Sequence, residues 1–141
     1  MRVLIVEDEP CIRDTLTELF DVPENSTHAA ATLPAAQRAL ADGSYDLIVT
    51  DLRLGDRHDG GLQVLGASGI LSPAAAAIVL TAFPSADNQQ ACHRLGATHF
   101  LEKPTDLRTI ASVAWQHGVM TTIDPLDGAR RPSEVLAAYD R

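Results

Sequence analysis

Residues 47–61 read LIVTDLRLGDRHDGG: three apolar residues run straight into Thr50 and Asp51, then into a polar stretch that ends in two glycines. An apolar run this short, bounded by polar and turn-forming residues, suits a strand buried on both faces of a sheet. The same grammar recurs along the chain. Val3 to Val6 leads into Glu7 and Asp8, Ala77 to Leu80 into Thr81, and His99 to Leu101 into Glu102 and Lys103. Ser26 to Ala30 is a fifth, weaker candidate strand.

Helix-length segments with their own punctuation lie between these runs. Thr32 and Pro34 open Ala35 to Ala41 ahead of Gly43, Ser85 opens Ala86 to Leu95 ahead of Gly96, and Asp106 to His117 follows the last strand. Hydroxyl or carboxylate caps at the start and glycine after the end are the usual helix boundaries. Gly60 and Gly61 read as a turn into the third helix. Strand followed by helix, five times over, predicts an α/β fold: a doubly wound, five-stranded parallel sheet with helices on both faces and right-handed crossovers.

In such a sheet every strand ends on the same edge, so the residues just after the apolar runs meet in one crevice. Glu7, Asp8 and Asp51, the hydroxyl of Thr81 and the ammonium of Lys103 therefore converge. Clustered carboxylates repel one another unless a cation intervenes, and an oxygen-only ligand set suits a hard ion such as Mg2+. Mg2+ uses few carboxylates and bridges readily to phosphate, while Lys103 and Thr81 are placed to hold further phosphoryl oxygens. Neither a G-x-G-x-x-G nor a G-x-x-x-x-G-K pattern is present, so ATP binding is not indicated.

In order and spacing, VLIVEDEP (3–10), LIVTDLRLGDRHDGG (47–61), IVLTAF (78–83) and GATHFLEKP (96–104) resemble the receiver domains of response regulators, the CheY-like superfamily, over about residues 2–118. The resemblance implies a flavodoxin-like (βα)5 fold and a phosphoacceptor role in two-component signalling. It implies Asp51 as the nucleophile, Mg2+ held by Asp8, Asp51 and the Arg53 carbonyl with Glu7 acting through water, and Thr81 and Lys103 as phosphate clamps. Thr81 and Phe100 fall at the family's switch positions, although a strand aromatic such as Phe100 also reads as plain core. A cis bond before Pro104 is implied as well. Arg53 and Phe83 stand where the family tunes phosphate lifetime. The chain departs from the family in three places. Glu7 replaces the commoner Asp, Phe100 lacks a tyrosine hydroxyl, and the loop Leu54 to Asp59 is one residue longer.

The bulk properties agree with this reading. A chain of 141 residues suits one domain, expected here as a receiver over 1–118 and a tail over 119–141 without an output domain. Thr121 to Arg131 reads as a loosely attached loop, and Pro132 to Tyr139 as a short terminal helix. With 19 acidic against 11 basic residues, the net charge of −8 disfavours nucleic acid. No apolar run reaches membrane-span length and the start lacks a secretory signal, so a cytoplasmic setting is expected. Cys11 and Cys92 read as free thiols, and His28, His58, His93, His99 and His117 share no metal-binding spacing and read as surface residues.

The expected partners are a histidine kinase or histidine phosphotransfer protein upstream. A downstream protein is expected on the surface of the fourth helix, fifth strand and fifth helix, with a homodimer left open. Two alternatives stay beside this reading: a receiver module of a hybrid kinase or phosphorelay, and a non-phosphorylated interaction domain. Whether self-catalysed phosphorylation and dephosphorylation make the chain an enzyme is left open. A phosphatase of the haloacid dehalogenase type is disfavoured, because its nucleophilic Asp follows the first strand and a second Asp lies two residues on. Here Leu52 and Arg53 follow Asp51.

Overall fold

A computed structural model describes residues 1–125, so the expected terminal helix at 132–139 lies outside the described residues. Five strands, β1 (Arg2–Val6), β2 (Ser26–Ala30), β3 (Leu47–Asp51), β4 (Ala76–Thr81) and β5 (His99–Glu102), alternate with five helices. These are α1 (Pro10–Leu19), α2 (Leu33–Ala41), α3 (Gly60–Leu71), α4 (Ala86–Arg94) and α5 (Leu107–Gln116). The strands form one sheet in the order β2-β1-β3-β4-β5, and every pairing is parallel.

Alternation along the strands sends side chains to opposite faces. Val3, Ile5, Leu47, Val49, Ile78 and Leu80 pack with α1 and α5 on one side. Leu4, Val6 and Ile48 pack against α2 and α3 on the other, while Ala77 and Val79 meet α3 and α4. Burial on both faces is why β1, β3 and β4 read as unbroken apolar runs. β2 lies at the sheet edge with Ser26, His28 and Ala29 exposed, which explains its weaker signal.

The helix starts follow their caps. Thr32 Oγ1 accepts from the Ala35 amide at 3.2 Å, Ser85 Oγ from Asn88 at 3.0 Å, and Asp106 Oδ1 from Arg108 at 2.8 Å. At α3 the structure differs from expectation: Gly60 and Gly61 are the first residues of the helix rather than a turn before it. The Gly61 amide donates to the Leu52 carbonyl at 2.8 Å, so the helix starts against the backbone that follows β3. A Cβ on Gly61 would collide with the Asp51 carbonyl and lie 2.7 Å from Leu52 Cα. Gly61→Ala is therefore expected to destabilise the chain by about 1–3 kcal/mol, the usual cost of overpacking. A lowered urea midpoint with unchanged slope would show it, and an unchanged midpoint would mean the helix start relaxes freely.

Packing also continues past residue 118. Val119 and Ile123 are buried in the α1–α5 layer, the Thr122 amide donates to the Leu19 carbonyl at 2.8 Å, and Asn25 Nδ2 donates to the Met120 carbonyl at 2.9 Å. The loose attachment expected from Thr121 onward does not hold up to Pro125. Among the described residues, no helix is long and apolar enough to cross a membrane.

Strand order reverses at β1, with β2 on one side and β3 on the other, so the chains leaving β1 and β3 diverge and open a crevice between them. The β1 and β3 carboxylates sit at that point.

Candidate functional site

The crevice brings together the acids that the sequence pointed to. Carboxylate oxygens of Glu7, Asp8 and Asp51 all lie within 4.8 Å of one another. Glu7 is enclosed, with its side chain 2% exposed, whereas Asp8 opens to solvent and Asp51 is partly covered. Lys103, carried in just after β5, places Nζ 2.9 Å from Glu7 Oε1 and 3.0 Å from Asp51 Oδ2. Its backbone amide donates to the Thr81 carbonyl at 2.8 Å, which extends the β4–β5 ladder by one bond and fixes where the ammonium enters. The Lys103–Pro104 bond is cis.

Electrostatics follow from this enclosure. Burial is the largest influence on Glu7, and the Asp51 charge adds to it; against the opposing pull of Lys103 the carboxyl rises to about 7. For Lys103, burial favours loss of the proton, but attraction to Glu7 and Asp51 outweighs it and holds the pKa above the ordinary lysine value. With Lys103 paired to Glu7 and Asp51, the added carboxylate of Asp8 beside them leaves an excess of negative charge on oxygen ligands, and that set fits a divalent cation.

The acids are also oriented. Asp8 Oδ2 accepts from the Gly55 amide at 2.9 Å, so the longer loop after β3 folds back onto the β1 acid. That loop closes through reciprocal backbone bonds between Leu54 and Arg57, 3.1 Å each, and turns at Gly55 with φ +60°, a conformation open to glycine. Glu7 Oε2 accepts from the Glu9 amide at 3.2 Å, and the Arg13 guanidinium donates to the Glu7 carbonyl at 3.0 Å. The Arg53 amide reaches Asp51 Oδ1 at 3.4 Å.

Thr81 is fully buried, and its Oγ1 accepts from the Phe83 amide at 2.9 Å. Phe100 is half-buried against the layer of Leu52, Leu65, Val79 and Cys92. It lines a cavity of about 640 Å³ with Gln89, Gln90, His93 and Arg94 of α4.

Two contacts escaped sequence reasoning. The Arg53 guanidinium stacks over the Phe83 ring, 3.6 Å from its centroid, which joins the residues two beyond Asp51 and two beyond Thr81. His99 and His117, read as separate surface residues, meet with Nε2 atoms 2.9 Å apart. No sequence spacing signals the second contact, because one residue opens a strand and the other caps a helix.

A five-stranded parallel sheet with an acid-and-lysine crevice at its switch point defines a receiver-like α/β domain. The family described as "Response regulator receiver domain" matches residues 3–114, and the chain belongs to it: it is a receiver domain of the two-component response regulators. The chain is 34% identical over 106 residues to the response regulator protein PilR of Pseudomonas aeruginosa, covering 75% of this chain and 23% of PilR. To the photosynthetic apparatus regulatory protein RegA of Rhodobacter capsulatus it is 28% identical over 116 residues, 82% of this chain and 62% of RegA. It thus spans under a quarter of PilR and less than two thirds of RegA.

Among solved structures, it is similar to a response regulator protein from Burkholderia pseudomallei with a phosphorylated aspartic acid, calcium ion and citrate. The TM-score is 0.72 at 25% identity, over 80% of this chain and 64% of that one. The beryllofluoride-activated NtrC4 receiver domain dimer superposes with a TM-score of 0.71 at 28% identity, over 84% of this chain and 95% of that one. The fold is the CheY-like, flavodoxin-type (βα)5 arrangement.

Proposed function

We propose that the chain takes a phosphoryl group onto Asp51 from a histidine kinase or histidine phosphotransfer protein and signals through altered binding of a downstream protein. The observation that carries this reading is the Lys103 ammonium, held between Glu7 and Asp51 in the crevice where β1 and β3 diverge. A carboxylate needs no base, since Asp51 in its ionised form can attack phosphorus directly as the phosphorus–nitrogen bond of the donor breaks. A magnesium ion held by Asp8, Asp51 and the Arg53 carbonyl, with Glu7 through water, would supply charge neutralisation between the carboxylates and the incoming group.

Lys103 then moves part of its attraction from the acids to a phosphoryl oxygen. Thr81 has a hydroxyl hydrogen to donate, because its bond with the Phe83 amide uses the oxygen as acceptor. Drawing Thr81 toward the phosphoryl group frees space beside β4, and half-buried Phe100 on the adjacent strand is positioned to turn into it. That motion would reshape the α4–β5–α5 face. A second copy of the chain is one candidate occupant, as the activated NtrC4 receiver is a dimer. The receiver unit is taken as residues 1–118, with 119–125 packed onto it, in the cytoplasm, where the free thiols of Cys11 and Cys92 suit a reducing compartment.

Incubation with a radiolabelled phosphohistidine donor and Mg2+ tests the reading. Label is expected to move onto the wild-type chain. Lys103→Ala is expected to stay folded by circular dichroism but to take up label about a hundredfold more slowly, the scale on which loss of one transition-state charge partner acts. Equal labelling rates would remove Lys103 from the mechanism, and absence of transfer from several donors would favour an interaction domain.

A further inference from the structure

At the opposite edge of the sheet from the acidic crevice, two imidazoles meet. His99 opens β5. Phe100 packs on the α4 side and Leu101 on the α1–α5 side, so alternation along the strand sends His99 toward α5. His117 is the C-cap of α5, where Gly118 turns the chain with φ +78°. The two Nε2 atoms are 2.9 Å apart, with ring centroids 5.2 Å apart and planes inclined at 73°. Both rings are only half-buried, which leaves the pair open to small ions.

We propose that His99 and His117 form a chelating site for a divalent transition ion that favours nitrogen ligands at right angles, Cu2+ or Ni2+. With metal–nitrogen bonds of about 2.0–2.1 Å, two ligands at right angles sit about 2.9 Å apart, whereas a tetrahedral angle opens the gap to about 3.3 Å. The observed separation, also that of an N–H···N hydrogen bond, is nearer the first case, and tetragonal nitrogen coordination is the preference of Cu2+ and Ni2+.

With both rings neutral and no metal between them, one Nε2–H donates and the other Nε2 accepts. Chelation needs both lone pairs, so the donating ring moves its hydrogen to Nδ1 and no net proton is lost. Burial is the main influence that lowers the His99 pKa, with repulsion adding to it whenever His117 is protonated, and it favours the neutral, metal-binding form of that ring. A net charge of −8 draws cations toward the chain. The site differs in kind from the crevice: two borderline nitrogens rather than hard carboxylate oxygens. An ion held there ties the start of β5, one residue before Phe100, to the end of α5.

The test uses untagged chain with excess Mg2+ to occupy the acidic crevice, titrated with Cu2+ and followed by calorimetry and electron paramagnetic resonance. One tightly bound ion with two-nitrogen coupling is expected. His99→Gln and His117→Gln should each bind at least about tenfold more weakly, since even outer partners of metal ligands act on that scale, while a His58→Gln control stays at wild-type affinity. Independently of any variant, substoichiometric Cu2+ added to wild-type chain with 15N-labelled histidine should broaden the His99 and His117 signals first. Equal affinity in all four proteins, no tight binding, or first broadening at other histidines would overturn the site.

Discussion

Asp51→Asn is expected to carry no acyl phosphate from any donor, with or without metal. An amide oxygen is neutral and weakly nucleophilic, and of the crevice acids Asp51 alone belongs to the middle of the sheet, with Lys103 Nζ 3.0 Å away and the Arg53 amide on its second oxygen. Asp8 stands farther into solvent, and enclosed Glu7 rises to about 7, which leaves it partly protonated at neutral pH. The substitution has a second expected effect. Asp51 is one of the two influences that raise Glu7, so in Asp51→Asn the Glu7 carboxyl should titrate below its wild-type midpoint. Carbon-13 titration of the carboxyl groups in metal-free protein measures that shift. Label on the variant would move the acceptor elsewhere, and an unmoved Glu7 midpoint would show that burial raises it without help from Asp51.

The second large effect belongs to Glu7 itself and to pH. Its folded-state pKa of about 7 lies above the ordinary glutamate value of 4.5, so between these values the metal-free folded chain binds more protons than the unfolded chain. Stability from this group is therefore fully present below about pH 4.5 and is lost as pH rises through about 7, a change of about 3 kcal/mol. Glu7→Gln keeps a neutral side chain at every pH and should lack this loss. In chelator, urea denaturation at pH 5 and pH 8 is expected to show the wild type losing about that much more stability than the variant. Added Mg2+ should restore wild type at pH 8 and do less for Glu7→Gln, because a cation replaces the missing proton only where a carboxylate remains. Parallel pH dependence in the two proteins would contradict a strained Glu7.

The order of elements and the identity of the crevice residues were legible in sequence because each strand is buried on both faces and hands its next residues to the same edge. Val3 to Val6 followed by Glu7 and Asp8 is one such reading, and the structure places both acids beside Asp51. β2 was fainter because an edge strand needs apolar residues on fewer positions, and only Ala30 of its five is buried. The start of α3 was misread because paired glycines usually mark turns. Here they are helical, and at Gly61 it is the close approach of the Asp51 and Leu52 backbone that excludes a side chain.

Tertiary contacts with no sequence period were not legible. Val119 and Ile123 look like ordinary loop residues until the groove between α1 and α5 receives them. The Arg53–Phe83 stack and the His99–His117 pair each depend on two elements meeting at one point, which neither local segment encodes.

The most direct test of an Asp51 acceptor is intact-mass analysis of the wild-type chain after incubation with a small phosphodonor and Mg2+, with a matched sample in chelator and Asp51→Asn alongside. A single phosphoryl addition that needs the metal and disappears in the variant is the expected result. Addition that survives either the chelator or the loss of Asp51 would contradict a metal-assisted phosphoacceptor at this site.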